Sequence, residues 1–145
     1  MSDNTIDLNA ITAQQLKQLV QSAAEDEVTT AVTAVGTEAV LDRVFGEMEQ
    51  RFKPGAASGV AADVQFVIDD GATAHPYAVR IAGGGCRAAR EEVAGEKVRL
   101  TMALPVFLKL VTGVLDGPMA FMSGQLTISG DIMFASRIMN FFERP

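Results

Sequence analysis

Leu41, Val44, Phe45, Met48 and Phe52 recur at helical spacing, the strongest periodic signal in the chain. They predict a helix that opens at Thr37, as its N-cap, and stops at Pro54-Gly55, with Glu38 in the first turn where the helix dipole favours an anion. Two weaker amphipathic runs precede it. In the first, Thr12 and Gln15 have the spacing of a capping box ahead of Leu16, Leu19 and Val20. In the second, Val28, Ala31, Val32 and Val35 share a face, and Gly36 breaks the run. The residues before about position 10 read as loose.

After Gly55 the period changes. Val64, Phe66 and Ile68 alternate with Asp63, Gln65 and Val67, and Asp69-Asp70-Gly71 reads as a turn. Tyr77, Val79 and Ile81 repeat the alternation, and Cys86 to Glu91 continue the sheet after a glycine bend. Val98, Leu100 and Met102 against Lys97, Arg99 and Thr101 form the cleanest half-buried strand. Pro105 opens a short helix closed by Gly113, a helical turn begins at Pro118, Leu126 and Ile128 mark a last strand, and Asp131 caps a final helix. Short turn-rich links favour antiparallel pairing. The expected class is therefore α+β: about five mainly antiparallel strands covered by helices, with an N-terminal helical extension over 1–36 and the main domain over 37–145.

Composition narrows the function. Hydrophobic residues make up 48% and charged residues 21%, enough apolar matter for one sizeable core in 145 residues. The net charge of -6 argues against nucleic acid and anionic lipid headgroups as partners. One cysteine excludes an intrachain disulfide and a Cys-rich metal site. MSDNTIDLNA lacks a basic and apolar leader, and no run of about 18 apolar residues exists, so a cytoplasmic protein without stable membrane insertion is expected.

The catalytic signals are weak. Gly83-Gly84-Gly85-Cys86-Arg87-Ala88 fits the spacing of a dinucleotide fingerprint after a strand, but the region about 20 residues on, Met102-Ala103-Leu104-Pro105, holds no ribose-binding acid. A turn between antiparallel strands is the better reading, and no cofactor is expected. Cys86 reads as a structural thiol: Arg87 and Arg90 are close in sequence, but on a strand Arg87 points away from it. His75-Pro76 reads as an exposed loop, and Asp69-Asp70 and Glu91-Glu92 as solvated turn charges.

The segment Met119 to Phe142 stands apart. It holds Met119, Met122, Met133 and Met139 of the seven methionines, and Phe121, Phe134, Phe141 and Phe142 of the eight phenylalanines. At about 100° per residue, Ser136, Arg137 and Asn140 of the final helix cluster on a polar side, with Met133 among them. Phe134, Ala135, Ile138, Met139, Phe141 and Phe142 spread over roughly 160°, wider than the stripe of about 100° that a core-facing helix needs. A Met-rich core is the plain explanation. A wall that adapts to guests of variable shape is the sharper one.

The run RLTMALPVFLKLVTGVLDGPMAFMSGQLTISGDIMFASRIMNFF resembles the C-terminal half of the sterol carrier protein type-two family. The shared pieces are a strand entering a helix that ends in Thr112-Gly113, then Phe121, Gly124, Leu126 and Gly130 in a Phe-x-x-Gly-x-Leu-x-x-x-Gly pattern, then the final helix from Asp131. The resemblance implies a sheet of about five strands with helices on one face and an apolar tunnel between them for fatty acids, acyl-CoAs, sterols or similar lipids. It implies a carrier rather than an enzyme. The animal carriers are basic and end in a peroxisomal signal, whereas this chain is acidic and ends Glu143-Arg144-Pro145, so a ligand other than sterol gains ground.

The resemblance, the Met enrichment and the wide arc together predict the wall of that tunnel. The preceding helices contribute Phe107, Leu108, Val111, Met119 and Met122. The final helix contributes Met133, Phe134, Ile138, Met139 and Phe142. The alternative is an interaction or scaffold module that presents lipid to a partner enzyme, or a homodimer, docking through the N-terminal helices. Catalysis on the same fold ranks last, because no acid-base set is visible.

Overall fold

The computed structural model describes residues 12–56 and 59–142, and the side chains of Ala13 and Met139 fall outside the described set. Six helices and five strands are found along it. α1 (Ala13–Ser22), α2 (Glu25–Val35) and α3 (Thr37–Arg51) come first. Then follow β1 (Ala62–Asp69), β2 (Ala74–Ala82), β3 (Gly85–Ala89) and β4 (Val98–Ala103). α4 (Leu104–Val111), α5 (Gly117–Met122), β5 (Leu126–Gly130), α6 (Ile132–Ile138) and a 3-10 turn (Met139–Phe141) complete the chain.

The strands form one sheet in the order β3-β2-β1-β4-β5. Three pairings are antiparallel, and β1 runs parallel to β4, so the sheet is mixed. That parallel pair needs a long connection, which the β2–β3 hairpin and the segment after it supply. Gly83 and Gly84 take φ of 59° and 76° between paired Ala82 and Gly85, the left-handed pair a two-residue hairpin turn demands. The glycine run is thus a turn between antiparallel strands, with no helix after it.

Alternation sets the core. Val64, Phe66, Ile68, Val79, Ile81, Val98, Leu100 and Met102 are all buried. Phe45 of α3 stacks on Tyr77 at 4.4 Å between ring centroids and on Phe107 of α4 at 5.0 Å, and meets Phe66 edge-on at 5.4 Å. Each such pair contributes about 0.5–1.5 kcal/mol beyond its buried area. α1 and α2 lie against α4, and α2 against α3, so Leu16, Val20, Val28 and Val32 join the same core. The Thr12 capping box forms as expected, Gln15 N donating to Thr12 Oγ1 at 3.1 Å and Thr12 N to Gln15 Oε1 at 3.0 Å.

On the opposite face of the sheet, Gln65 is fully buried beneath the segment that follows β3. Its Nε2 donates to Glu91 O at 3.0 Å, and its Oε1 accepts from Val93 N at 2.8 Å. At one sheet edge, Ala88 N of β3 donates to Glu49 Oε2 of α3 at 2.6 Å. At the other end, Gly130 takes φ +101°, and a Cβ there would meet Lys97 O at 2.6 Å, so only glycine fits where β5 closes on β4.

Three expectations are corrected. Thr37 does not cap α3: Gly36 is the N-cap, and Thr37 Oγ1 donates to Asp70 Oδ2 at 2.9 Å instead. His75 and Pro76 lie within β2, not in a loop, with His75 opposite Ile68 and half-buried. Asp70 is not a solvated turn charge, since its side chain is 8% exposed. The turn residues Ala72 and Thr73 donate their N–H groups to its Oδ1.

Candidate functional site

The wide apolar arc of α6 is shared between two neighbours. Phe134, Ile138 and, beyond them, Phe141 and Phe142 are buried inward, with Phe142 against Phe52 at 5.7 Å. Ile132, Ala135, Ser136 and Asn140, spaced i, i+3, i+4 and i+8, line a cavity of about 450 Å³ between α6 and α5. Asp116, Gly117, Pro118, Phe121 and Met122 form its other wall, and Ile128 of β5 adds to the lining. Because Ile128 pairs with Leu100, it lies on the sheet face that carries the core. The cavity therefore sits between the sheet edge and the C-terminal helix. Its rim is open to solvent, with Met122 81%, Ile132 49% and Phe121 40% exposed.

Caps hold both walls. Asp116 accepts from Met119 N at 3.3 Å at the start of α5, and Asp131 Oδ1 accepts from Phe134 N at 2.9 Å at the start of α6. That backbone bond, with the Lys97 ammonium 3.3 Å from the other carboxylate oxygen, holds the Asp131 carboxyl below its ordinary value. Gly124, at φ +81°, ends the turn after α5 so that β5 can begin.

Of the ten expected wall residues, Met122 lines this cavity. Phe107, Leu108, Phe134, Ile138 and Phe142 are buried in the core, and Val111 packs against it half-buried. Met119 and Met133, 60% and 78% exposed, stand beside the cavity without lining it. The side chain of Met139 lies outside the described residues. Ser136 and Asn140, on the polar side of the wheel with Arg137, both line the cavity. The signal that would have found them is the i, i+4, i+8 row beginning at Ile132.

The other polar groups offer little chemistry. Tyr77 Oη donates to Asp42 Oδ1 at 2.7 Å, and Arg90 bridges Asp42 and Glu38, at the wall of a small hollow of about 150 Å³ between α3 and β3. Burial, then Asp42, pushes the Tyr77 phenol well above its ordinary value. Burial, then the Glu49 carboxylate, pushes the Cys86 thiol up to about 12, the reverse of an activated nucleophile. Asp70 is desolvated by burial, which raises its carboxyl. The bonds from His75, Ala72, Thr73 and Thr37 outweigh this and hold it far below the usual range. Among the described residues no group of three or more His, Cys, Asp or Glu is placed to hold a metal, and no helix is long and apolar enough to cross a membrane.

Comparison with known proteins bears on the family and the fold. The model of the SCP-2 sterol transfer family matches residues 44–143. Among proteins of curated function no significant relative is found. Among solved structures, a double mutant of the sec-alkyl sulfatase PisA1, an enzyme from a Pseudomonas species, shares 17% identity at a TM-score of 0.65 over 72% of this chain, which spans only 16% of that protein. The sterol carrier protein 2 like 2 of Aedes aegypti shares 18% identity at 0.60, over 72% of this chain and 98% of that one. The palmitated form of the Aedes protein in solution shares 19% at 0.53, over 67% and 88%. At such identities these structures speak for the fold.

Proposed function

Since the chain belongs to the SCP-2 sterol transfer family, we propose that it is a non-catalytic carrier of an apolar lipid, held in the groove between α5, β5 and α6. The observation that carries this reading is the cavity of about 450 Å³ walled by Pro118, Phe121, Met122, Ile128, Ile132 and Ala135. Its size lies within the roughly 300–1,000 Å³ typical of small-molecule sites. Fatty acids, acyl-CoAs and sterols all present the hydrocarbon that such walls accept.

The energetics are sufficient. Each buried methylene contributes about 0.8 kcal/mol, so a fifteen-methylene chain offers roughly 12 kcal/mol gross. Association and ordering cost about 4–15 kcal/mol, so the net reaches about 8 kcal/mol, near micromolar affinity, when that cost is at the low end of its range. Area rather than hydrogen bonding supplies the attraction, so several lipid classes should bind. In this reading 37–145 form the lipid-binding unit and 1–36 an added segment. The test is native mass spectrometry of the purified protein with lipid extraction, followed by titration of the delipidated protein with palmitate, palmitoyl-CoA and cholesterol. Saturable micromolar binding of at least one is expected, and no binding by any of the panel would refute the reading.

A second reading, a module that presents lipid to a partner enzyme in the cytoplasm, draws on the likeness to one portion of an alkylsulfatase. The apolar faces of α1 and α2 are spent in the core, so the partner would meet their outer face, where Glu25, Asp26 and Glu27 are exposed. Charge reversal at Asp26 should then weaken enzyme capture and leave lipid binding intact.

A further inference from the structure

The large apolar side chains that this protein leaves exposed are gathered in one place. Apart from Val35, the exposed ones among the described residues are Met119, Phe121, Met122, Ile132 and Met133, all on α5 and the start of α6 beside the groove mouth. The same rim is nearly bare of charge. Residues 117–130 include no charged side chain, in a chain where 21% are charged. Of the carboxylates flanking it, Asp131 is bound by Lys97 at 3.3 Å and Asp116 caps α5. The cation beside it is Arg137, one turn after Met133, which lies 5.7 Å over the Phe141 ring and has no carboxylate within ion-pair distance among the described residues.

We propose that this rim docks peripherally on the surface of a neutral phosphocholine bilayer. The Met, Phe and Ile tips enter the acyl boundary, and the Arg137 guanidinium meets lipid phosphate. An apolar rim of this kind marks an interaction site. Its chemistry fits a bilayer, whose interface presents hydrocarbon to the thioethers and rings and phosphate to a guanidinium. A net charge of -6 over the whole chain opposes anionic membranes, which is why the surface it suits is neutral. The inference rests on the carriage reading for why a ligand groove opens there: at a docked rim the lipid enters without crossing water.

The chain has no tryptophan, so a single Met133→Trp substitution at an exposed position makes a clean reporter. Its emission should shift to the blue on adding phosphatidylcholine vesicles, equally at low and high salt, while Thr30→Trp on α2 stays unmoved. Met119→Glu in the reporter background should lower vesicle partitioning about tenfold or more, since a side chain that enters the bilayer on docking becomes a carboxylate that must stay wet. Met119 stands clear of the cavity lining. Binding of a fluorescent fatty acid in vesicle-free buffer should therefore stay within about twofold. No shift at Met133→Trp, or an equal shift at both reporters, overturns the docking surface. A blue shift that grows with protein concentration in the absence of vesicles overturns it in favour of a second copy. Vesicle docking without fatty-acid binding sinks the carriage reading and leaves the surface standing, and the converse result does the opposite.

Discussion

Asp70 and His75 meet across the β1–β2 turn with Oδ2 3.0 Å from Nε2, while Thr37 Oγ1 donates to the same oxygen at 2.9 Å. One carboxylate thus ties the hairpin to the start of α3. Its side chain is 8% exposed, and it also accepts from Ala72 N and Thr73 N. Asp70→Ala should cost about 2–3 kcal/mol, because several donors lose a charged acceptor at once. Urea unfolding at neutral pH would show it as a lower midpoint at unchanged slope.

The same carboxyl gives a pH dependence. Its folded value lies below the ordinary 3.8, so above about pH 5 it is ionised in both states and its stabilisation is fully present. As the pH falls through the unfolded value, the unfolded chain takes up a proton that the folded chain refuses, and stability is lost toward the folded value. Thermal midpoints should fall more steeply between about pH 5 and pH 3 in the wild type than in Asp70→Asn. Parallel curves would sink the account.

Two glycines should respond in opposite directions. Gly130→Ala forces a Cβ to 2.6 Å from Lys97 O at φ +101°, and should destabilise by about 1–3 kcal/mol. Gly46→Ala, inside α3 with nothing within 4 Å of the new Cβ, should stabilise by about 0.5–1 kcal/mol. Differential scanning calorimetry would rank them on either side of the wild type.

Filling the groove should separate binding from folding. Ala135 lines the cavity and is only half-buried, so Ala135→Phe has room to point into it. Affinity for a fluorescent fatty acid should fall by about tenfold or more while the thermal midpoint stays within a few degrees. Equal affinity would place the ligand elsewhere.

Cys86 should be sluggish. With its thiol pushed up to about 12, iodoacetamide at neutral pH should modify it far more slowly than a free thiol, and denaturant should restore the ordinary rate.

Local chemistry was legible in the sequence wherever neighbours decide the outcome. The α3 stripe from Leu41 to Phe52, the alternation at Val64–Ile68 and Val98–Met102, the Thr12 box and the Gly83–Gly84 turn each follow from a short window. The family pattern was legible for a related reason: Gly130 is fixed by a steric demand that leaves one residue type. Contacts between distant segments were not. Nothing beside Thr37 announces Asp70, 33 residues away, and the bond between them replaced a cap that looked sound locally. The candidate groove was half legible. A helical wheel shows that α6 has a wide apolar arc, but not that α5 and β5 divide it, leaving Phe134 and Ile138 to the core and Ile132 and Ala135 to the cavity.

The bond from Ala88 to Glu49 has a consequence for how copies of this chain meet one another. β3 is the last strand on its side of the sheet, and an outermost strand with free amides is a template on which another chain can add a strand. Here the Ala88 amide is already spent on a carboxylate brought in by α3. A strand arriving from outside would have to displace that carboxylate and face its negative charge. The helix that supplies the centre of the core thereby also guards this edge of the sheet against strand addition.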